Sequence, residues 1–185
     1  MSELIRVGIA GYGNLGKGVE DAITRNPDMT LAGVYTRRDP AMVKAVGEST
    51  EVFAWAALED HRDRVDVMVL CGGSKEDLPE QGPALAAGFN TVDSYDTHAR
   101  IPEYFEAVDG AAREGGKLAL ISTGWDPGVF SINRLYGESI LPQGDTHTFW
   151  GRGVSQGHSD AVRRVDGVAD AVQYTLPAEA TIEEI

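Results

Sequence analysis

Three glycines in the hexapeptide Gly11-Tyr12-Gly13-Asn14-Leu15-Gly16 stand directly after the apolar run Ile5-Arg6-Val7-Gly8-Ile9-Ala10. At this spacing a first glycine permits a tight turn and a second lets the backbone approach a pyrophosphate. A third lets a helix pack closely on the preceding strand, with its amide ends facing the anion. The chemistry expected is nucleotide binding, although the bare pattern also fits an ordinary glycine-rich turn between strand and helix. Context argues for a dinucleotide: Leu31-Ala32-Gly33-Val34-Tyr35 reads as a second strand, and Thr36-Arg37-Arg38 follow it where such folds meet the adenosine ribose. A unit that takes NAD carries an acidic residue at that point to accept hydrogen bonds from the ribose hydroxyls. Guanidinium groups instead bond a 2′-phosphate, each bond being worth about 1.5–3 kcal/mol, or about tenfold or more in affinity. Thr36, Arg37 and Arg38 therefore predict NADP as the cofactor.

Two aspartates are candidates for the chemistry itself. Val92-Asp93-Ser94-Tyr95-Asp96 follow one apolar run, and Ser122-Thr123-Gly124-Trp125-Asp126-Pro127-Gly128 follow another. Ligands of an open parallel sheet bind beyond the carboxyl ends of its strands, so Asp96 and Asp126 are expected on the same edge as the glycine loop. Carboxylates converging near a nicotinamide suit a cationic substrate group such as an α-ammonium. The spacing leaves a plainer role open, because Asp is common in loops and at helix N-caps, and Asp126 precedes a proline.

Cys71-Gly72-Gly73-Ser74 ends a further strand at that edge. Its small residues would let a cofactor lie near the backbone, and Ser74 could also cap the helix that follows. Cys71 itself reads as a buried strand-end thiol rather than a nucleophile. His147 and His158 are candidate acids or bases, but no metal-ligand spacing is present and no metal site is expected, while His61 and His98 read as surface residues. Phe149 and Trp150 border a glycine-bearing loop, as a pocket wall or as core. No G-x-S-x-G elbow is present, which argues against a hydrolase of that type.

These residues need elements to position them. Short apolar runs at 5–10, 31–35, 65–71, 91–93 and 118–121 alternate with helix candidates at 15–25, 54–61, 76–87 and 101–114. That alternation predicts an α/β fold with a doubly wound, Rossmann-type parallel sheet. After Ile121 the pattern changes to a helix at 130–138, a strand at 146–150, a polar loop at 151–160, a strand at 171–176 and a helical start at 178–185. We expect an NADP-binding domain at 1–121; for 122–185 the resemblance given below implies a partial substrate-binding and dimerisation region that begins an α+β domain. The final stretch is short for a core of its own, so a fragment of a longer chain, or pairing with another copy, is expected.

The chain has 185 residues, 42% hydrophobic and 24% charged, with a formal charge of −13. Such an acidic balance argues against general nucleic-acid binding. No apolar stretch approaches the ~20 residues of a membrane span, and no signal peptide is evident at the N-terminus, so the reading is cytoplasmic with no membrane partner. A single cysteine excludes an intramolecular disulfide.

Taken together, GYGNLG, TRR, TVDSYD at 91–96, STGWDPGVFSINR at 122–134, HTFWGRGVSQGHSDAVRR at 147–164 and AVQYTLP at 171–177 resemble the meso-diaminopimelate D-dehydrogenases. These are NADP-dependent homodimers that oxidatively deaminate the D-centre of meso-2,6-diaminopimelate, giving L-2-amino-6-oxopimelate and ammonia in the supply of lysine and peptidoglycan precursors. The resemblance implies that Gly11–Gly16, with Tyr12, Gly13, Asn14 and Leu15 against the pyrophosphate, bind the cofactor together with Thr36–Arg38. It adds Cys71, Gly72, Gly73 and Ser74, and Ser94, Tyr95 and Asp96, as the lining of the cofactor site. It implies Asp96 and Asp126 at the substrate ammonium, and Trp150, Gln156, Gly157 and Thr175 in the substrate pocket. Family members are longer, so the resemblance also implies truncation. Two alternatives are another NADP-dependent reductase of the lysine and aspartate pathway, resembling dihydrodipicolinate reductase, and a catalytically silent NADP-binding or interaction module. The first would share the glycines and arginines but not Asp96, Asp126 and the 155–160 loop.

Overall fold

The computed structural model describes residues 4–144, 152–163 and 165–176, and the chain divides into two compact units, Met1–Leu135 and Tyr136–Ile185. The first is built on β1 (Ile5–Ala10), β2 (Met29–Thr36), β3 (Val52–Ala54), β4 (Val67–Leu70), β5 (Thr91–Asp93) and β6 (Ala119–Leu120). All pairings are parallel, and the order is β3-β2-β1-β4-β5-β6. The chain enters at the centre and winds outward first one way and then the other. The winding direction therefore reverses between β1 and β4, the place where open sheets of this kind leave a crevice.

Side chains alternate across the sheet, and each face has its own helical cover. Val7, Ile9 and Val34 pack with Tyr12 and with Ile23 of α1 (Asn14–Arg25). Ala10, Tyr35, Met68 and Leu70 point the other way, onto α2 (Leu78–Ala86) and α3 (Ile101–Gly115), where they meet Leu78, Leu85, Tyr104 and Val108. Ile9 and Met68 are wholly buried, and each contributes about 2 kcal/mol by leaving water. The helix α3 starts with Pro102 in its first turn and stops at Gly116, whose left-handed φ of 62° lets Lys117 N reach the Ala112 carbonyl at 2.8 Å.

Several expectations are corrected. The segment expected as an α-helix over 54–61 is a 3-10 helix, Trp55–Arg64, broken at His61; only Leu58 in it is buried, so no apolar stripe holds an α-helix against the sheet. The strand β3 escaped the reading because three residues cannot display an alternation. In the second unit the segment expected as a polar loop forms β7 (Gly153–Ser155) and α5 (Gln156–Arg163). The strand β7 pairs antiparallel with β8 (Gln173–Thr175), setting Gly153 opposite Thr175. Buried Ser159 fastens this small unit, its Oγ donating to the Ser155 carbonyl at 2.5 Å and accepting from Gln173 N at 2.9 Å. The helix α4 (Val129–Ile140) crosses from the first unit into the second. The strand expected over Thr146–Trp150, with His147, Phe149 and Trp150, and the helical start at 178–185 lie outside the described residues. Among the described residues no helix is long and apolar enough to cross a membrane.

Candidate nucleotide site

The glycine loop is shaped by what its glycines touch. Gly11 leaves β1 with φ 91°, and a Cβ there would stand 3.2 Å from the carbonyl carbon of Cys71, where the exits of β1 and β4 cross. Gly16 is tighter still: its Cβ would lie 2.6 Å from the Gly11 carbonyl oxygen. Gly13, by contrast, meets nothing within 4 Å, and no side chain caps α1 behind it. That open face and the uncapped first-turn amides fit a pyrophosphate.

Around it the strand ends enclose a cleft of about 530 Å³, which brings together Gly11–Gly13, Thr36–Arg38 and Cys71–Gly73 as the sequence predicts. Trp55, Asp77 and Gln81 line it too, and sequence reasoning had not singled them out. Thr36 is buried and no carboxylate ends β2. Arg37 pairs with Asp77 at 2.5 Å, while the other oxygen of Asp77 accepts from Gly73 N at 2.8 Å. The Arg38 guanidinium donates to the Tyr12 carbonyl, and the Arg38 amide donates to Thr36 Oγ1 at 3.1 Å. Gln81 is 9% exposed and its Oε1 has no hydrogen-bond partner. An orphaned acceptor on a cleft wall fits a ligand that brings a donor.

A second cleft, of about 360 Å³, shares Tyr12, Gly13 and Arg38 with the first and adds Asn14, Lys17 and Met42–Lys44. Its far wall, the strap between β2 and β3, is pinned by Glu20 of α1, which is wholly buried. The Glu20 carboxylate accepts from the hydroxyls of Tyr12 and Thr50, from Gly47 N at 2.9 Å and from Val46 N at 3.2 Å. Burial works to raise its pKa, but the hydrogen bonds from Thr50, Tyr12, Gly47 and Val46 outweigh it and hold the carboxyl below its ordinary value. Tyr12 is pushed up to about 12, chiefly by burial and then by its bond to Glu20. Leu15 stays partly exposed on α1.

At the other end of the sheet edge three loops are tied together. Ser74 does not cap α2, which begins only at Leu78 behind Asp77; its Oγ accepts from Asp96 N at 2.9 Å and joins the β4 and β5 loops. Buried Asp93 accepts from the Tyr104 hydroxyl at 2.6 Å, from Tyr95 N at 2.9 Å and from Ser122 N at 3.1 Å, while its carbonyl takes Thr123 N at 2.9 Å. Burial and the bond to Asp93 raise the Tyr104 pKa. Tyr95 stacks on Tyr104 at 4.0 Å between ring centroids, so its ring belongs to the core. A Cβ on Gly124 would sit 3.5 Å from Ser94 Cβ, which sets the 122–128 loop beside Ser94.

Asp96 is exposed. The Asp126 carboxylate is half-buried and receives Ser131 Oγ at 3.2 Å and the Arg134 guanidinium at 3.4 Å, rather than capping a helix. Ser122 adopts φ 59°, unusual for a residue with a side chain, and its buried Oγ has no partner.

Cys71 is half-buried and burial pushes its thiol up to about 12, so at neutral pH it is no thiolate. His61, expected at the surface, instead shares a hydrogen bond with the Tyr35 hydroxyl at 3.1 Å and stands edge-on to Phe53. Its polar neighbours in sequence hid an aromatic neighbourhood supplied by β2 and β3. Among the described residues no group of His, Cys, Asp and Glu converges to hold a metal. In the second unit Gln156 and Gly157 open α5, and Thr175 lies on β8, which α5 packs against through Ser159.

A parallel sheet whose winding reverses between β1 and β4, with a glycine turn opening α1 at that point, defines a Rossmann-type nucleotide-binding unit. The diaminopimelic acid dehydrogenase C-terminal domain family matches residues 124–185. The chain is 60% identical over 181 residues to the meso-diaminopimelate D-dehydrogenase of Ureibacillus thermosphaericus, an alignment covering 98% of this chain and 55% of that protein. Among solved structures it resembles the Corynebacterium glutamicum DAP dehydrogenase in complex with DAP, at TM-score 0.86 and 50% identity over 99% of this chain and 56% of that one. It also resembles an engineered D-amino acid dehydrogenase bound to NADP+, at TM-score 0.83 and 49% identity over 98% and 55% of the two chains. Over the residues that it spans, the chain is similar to the meso-diaminopimelate D-dehydrogenases. It spans about half the length of the curated relatives it matches.

Proposed function

We propose that the chain binds NADP and serves the oxidative deamination of the D-centre of meso-2,6-diaminopimelate to L-2-amino-6-oxopimelate and ammonia. The observation that carries the reading is the cleft at the reversal between β1 and β4, open at Gly13 and bordered by cations where β2 ends, in a chain 60% identical to a dehydrogenase of that name. On this reading residues 1–121 hold the nucleotide, and 122–185 contribute to substrate binding and to a homodimer of a cytoplasmic enzyme.

Gly11–Gly16 hold the pyrophosphate, and Thr36–Arg38 the adenosine end. Cys71–Ser74 and Ser94–Asp96 line the remainder, and Gln81 offers its unpaired acceptor. Bound there, NADP supplies a hydride acceptor. Asp126 orients the substrate amine and relays its proton, with Asp96 as electrostatic partner, so that the lone pair of nitrogen is free to form the imine. Trp150, Gln156, Gly157 and Thr175 form part of the pocket for the rest of the substrate. Support for Asp126 comes from its half-buried carboxylate on a loop beside Ser94.

A second reading is a module that binds NADP without turnover, favoured by a nucleotide cleft that lies wholly within the first unit while the expected substrate residues are divided between two. One assay separates the two. Purified chain is mixed with NADP and meso-diaminopimelate, and the absorbance of the reduced cofactor is followed, with the L,L isomer as control. Reduction with the meso form alone supports the dehydrogenase; tight NADP binding without reduction supports the module.

A further inference from the structure

We propose that Asp93 is a positioning residue for the reaction: from beneath the sheet edge it sets the two loops that carry Asp96 and Asp126. This rests on the reading of those two aspartates as the groups that meet the substrate amine.

Topology is the first argument. The ladder between β5 and β6 is only two pairs long, Thr91 with Ala119 and Val92 with Leu120. Past its end the loop after β6 is hydrogen-bonded back to β5 at Asp93. Ser122 N donates to Asp93 Oδ1 at 3.1 Å, and Thr123 gives the Asp93 carbonyl its amide at 2.9 Å and its hydroxyl at 2.7 Å. Those bonds bracket Ser122, whose φ of 59° is kept by a residue with a side chain only where its surroundings impose it. The same Oδ1 takes Tyr95 N at 2.9 Å, in the loop that leads to Asp96. One oxygen therefore holds both loops.

The second argument is how that oxygen is itself held. Asp93 is 2% exposed, and its Oδ2 accepts from the Tyr104 hydroxyl at 2.6 Å. Tyr104 reaches it from α3 past Gly82 of α2, where a Cβ would collide with the hydroxyl, and its ring stacks on Tyr95. The carboxylate cannot turn without leaving a buried donor unpaired. Asp126 has Ser131 and Arg134 to orient its carboxylate, but the placement of its loop beside Ser94 follows from Asp93. A misplacement of about 1 Å at a reacting group costs about a hundredfold in rate. Asp93 thus acts on the reaction through the two loops, without touching the substrate.

The test compares the full-length wild type with Asp93→Ala, Asp93→Asn and Tyr104→Phe. Turnover of meso-diaminopimelate is expressed per NADP-binding site counted by titration, so that a loss of folded protein does not register. Asp93→Ala should lower this turnover about a hundredfold, with NADP affinity within about threefold of the wild type. Asp93→Asn should stay within about threefold in both, because its amide oxygen still accepts from Tyr95 and Ser122 while the Tyr104 hydroxyl turns to accept from the new NH2. Tyr104→Phe, which frees the carboxylate, should lose about tenfold in turnover. In the same variant the Ser122 and Thr123 amides should exchange with solvent about tenfold faster, and those of β1 at the wild-type rate. Asp93→Ala at wild-type turnover per site, or an equal loss of turnover and NADP affinity, overturns the proposal. So does Asp93→Asn as impaired as Asp93→Ala, since the charge and not the placement would then be what acts. If Asp93→Ala does not fold, Tyr104→Phe decides, and unchanged turnover with unchanged exchange overturns the assignment. A wild type that binds NADP without turnover overturns the dehydrogenase reading, and the exchange rates then decide alone whether Asp93 sets the loops.

Discussion

Glu20 is wholly buried and pairs with no cation among the described residues, yet it is held in its charged form by donors from Tyr12, Val46, Gly47 and Thr50. Replacing it with Ala strands those donors and is expected to cost about 3 kcal/mol of stability, measured by denaturant unfolding. The pH dependence has a definite sign. A carboxyl whose folded pKa lies below its unfolded value, about 4.3, adds stability above that value and loses it as pH falls through the lower, folded one. Unfolding midpoints followed from about pH 6 to pH 3 should drop more steeply for the wild type than for Glu20→Gln; parallel curves would remove Glu20 from this role. Asp126 answers to a different readout. Asp126→Asn should lower turnover about a hundredfold or more while changing NADP affinity less than about threefold, and equal losses in both would sink its catalytic assignment.

At this scale the sequence was informative where chemistry follows from residue type. The glycines, Thr36–Arg38 and Cys71–Gly73 meet in one cleft as expected. Glu20 was not legible, because a glutamate on an amphipathic helix normally faces water and, Tyr12 apart, its donors come from residues 26 to 30 positions further on. Gln81, Asp77 and Lys17 were missed for a related reason: each is an ordinary helix or helix-entry residue until the sheet edge brings it against another loop.

Among elements, β1 and α1 carry the greatest constraint, since their junction must pass under Cys71 and still leave Gly13 open. Gly16→Ala would place a methyl 2.6 Å from the Gly11 carbonyl oxygen. It should force α1 off the sheet, lower NADP and NAD affinity alike by about tenfold or more, and destabilise the fold by about 1–3 kcal/mol. Fluorescence titration and thermal unfolding check the two effects separately, and a variant with unchanged affinity for both nucleotides would contradict the packing argument. Long apolar runs announced β1, β2 and β4, and the turn chemistry of Gly116 announced the end of α3. Elements held by tertiary contact were not announced. The strand β3 exists because β2 offers it an edge, and α5 exists although its segment reads as a polar, glycine-bearing loop, with Ser159 anchoring it to β7 and β8.

For the molecule as a whole, apolar exposure is the unusual quantity. Leu118 and Leu120 at the β6 edge are 78% and 59% exposed. On α4, Val129, Ile132, Tyr136 and Ile140 form an exposed stripe at helical spacing. Apolar side chains exposed in such numbers favour association. Sedimentation velocity should therefore report a species heavier than the 19.8 kDa chain, and Ile132→Glu with Ile140→Glu should return it to the monomer. A monomeric wild type would leave the proposed homodimer without support from this surface. The expected substrate residues are divided between the two units, so no single run of sequence could announce them together.

The strap between β2 and β3 has a practical consequence. It contributes no strand to the sheet and is fastened to α1 through the Glu20 carboxylate and to the core through Val43 and Ala45, so residues on its cleft side such as Met42 and Lys44 can be exchanged without touching a rung of the hydrogen-bond ladder. Exchanges there would reshape the wall of the smaller cleft and leave the sheet in place. The loops that follow β4, β5 and β6, which the Ser74 bridge and Asp93 hold at the opposite end of the sheet edge, would pass through such an exchange unaltered.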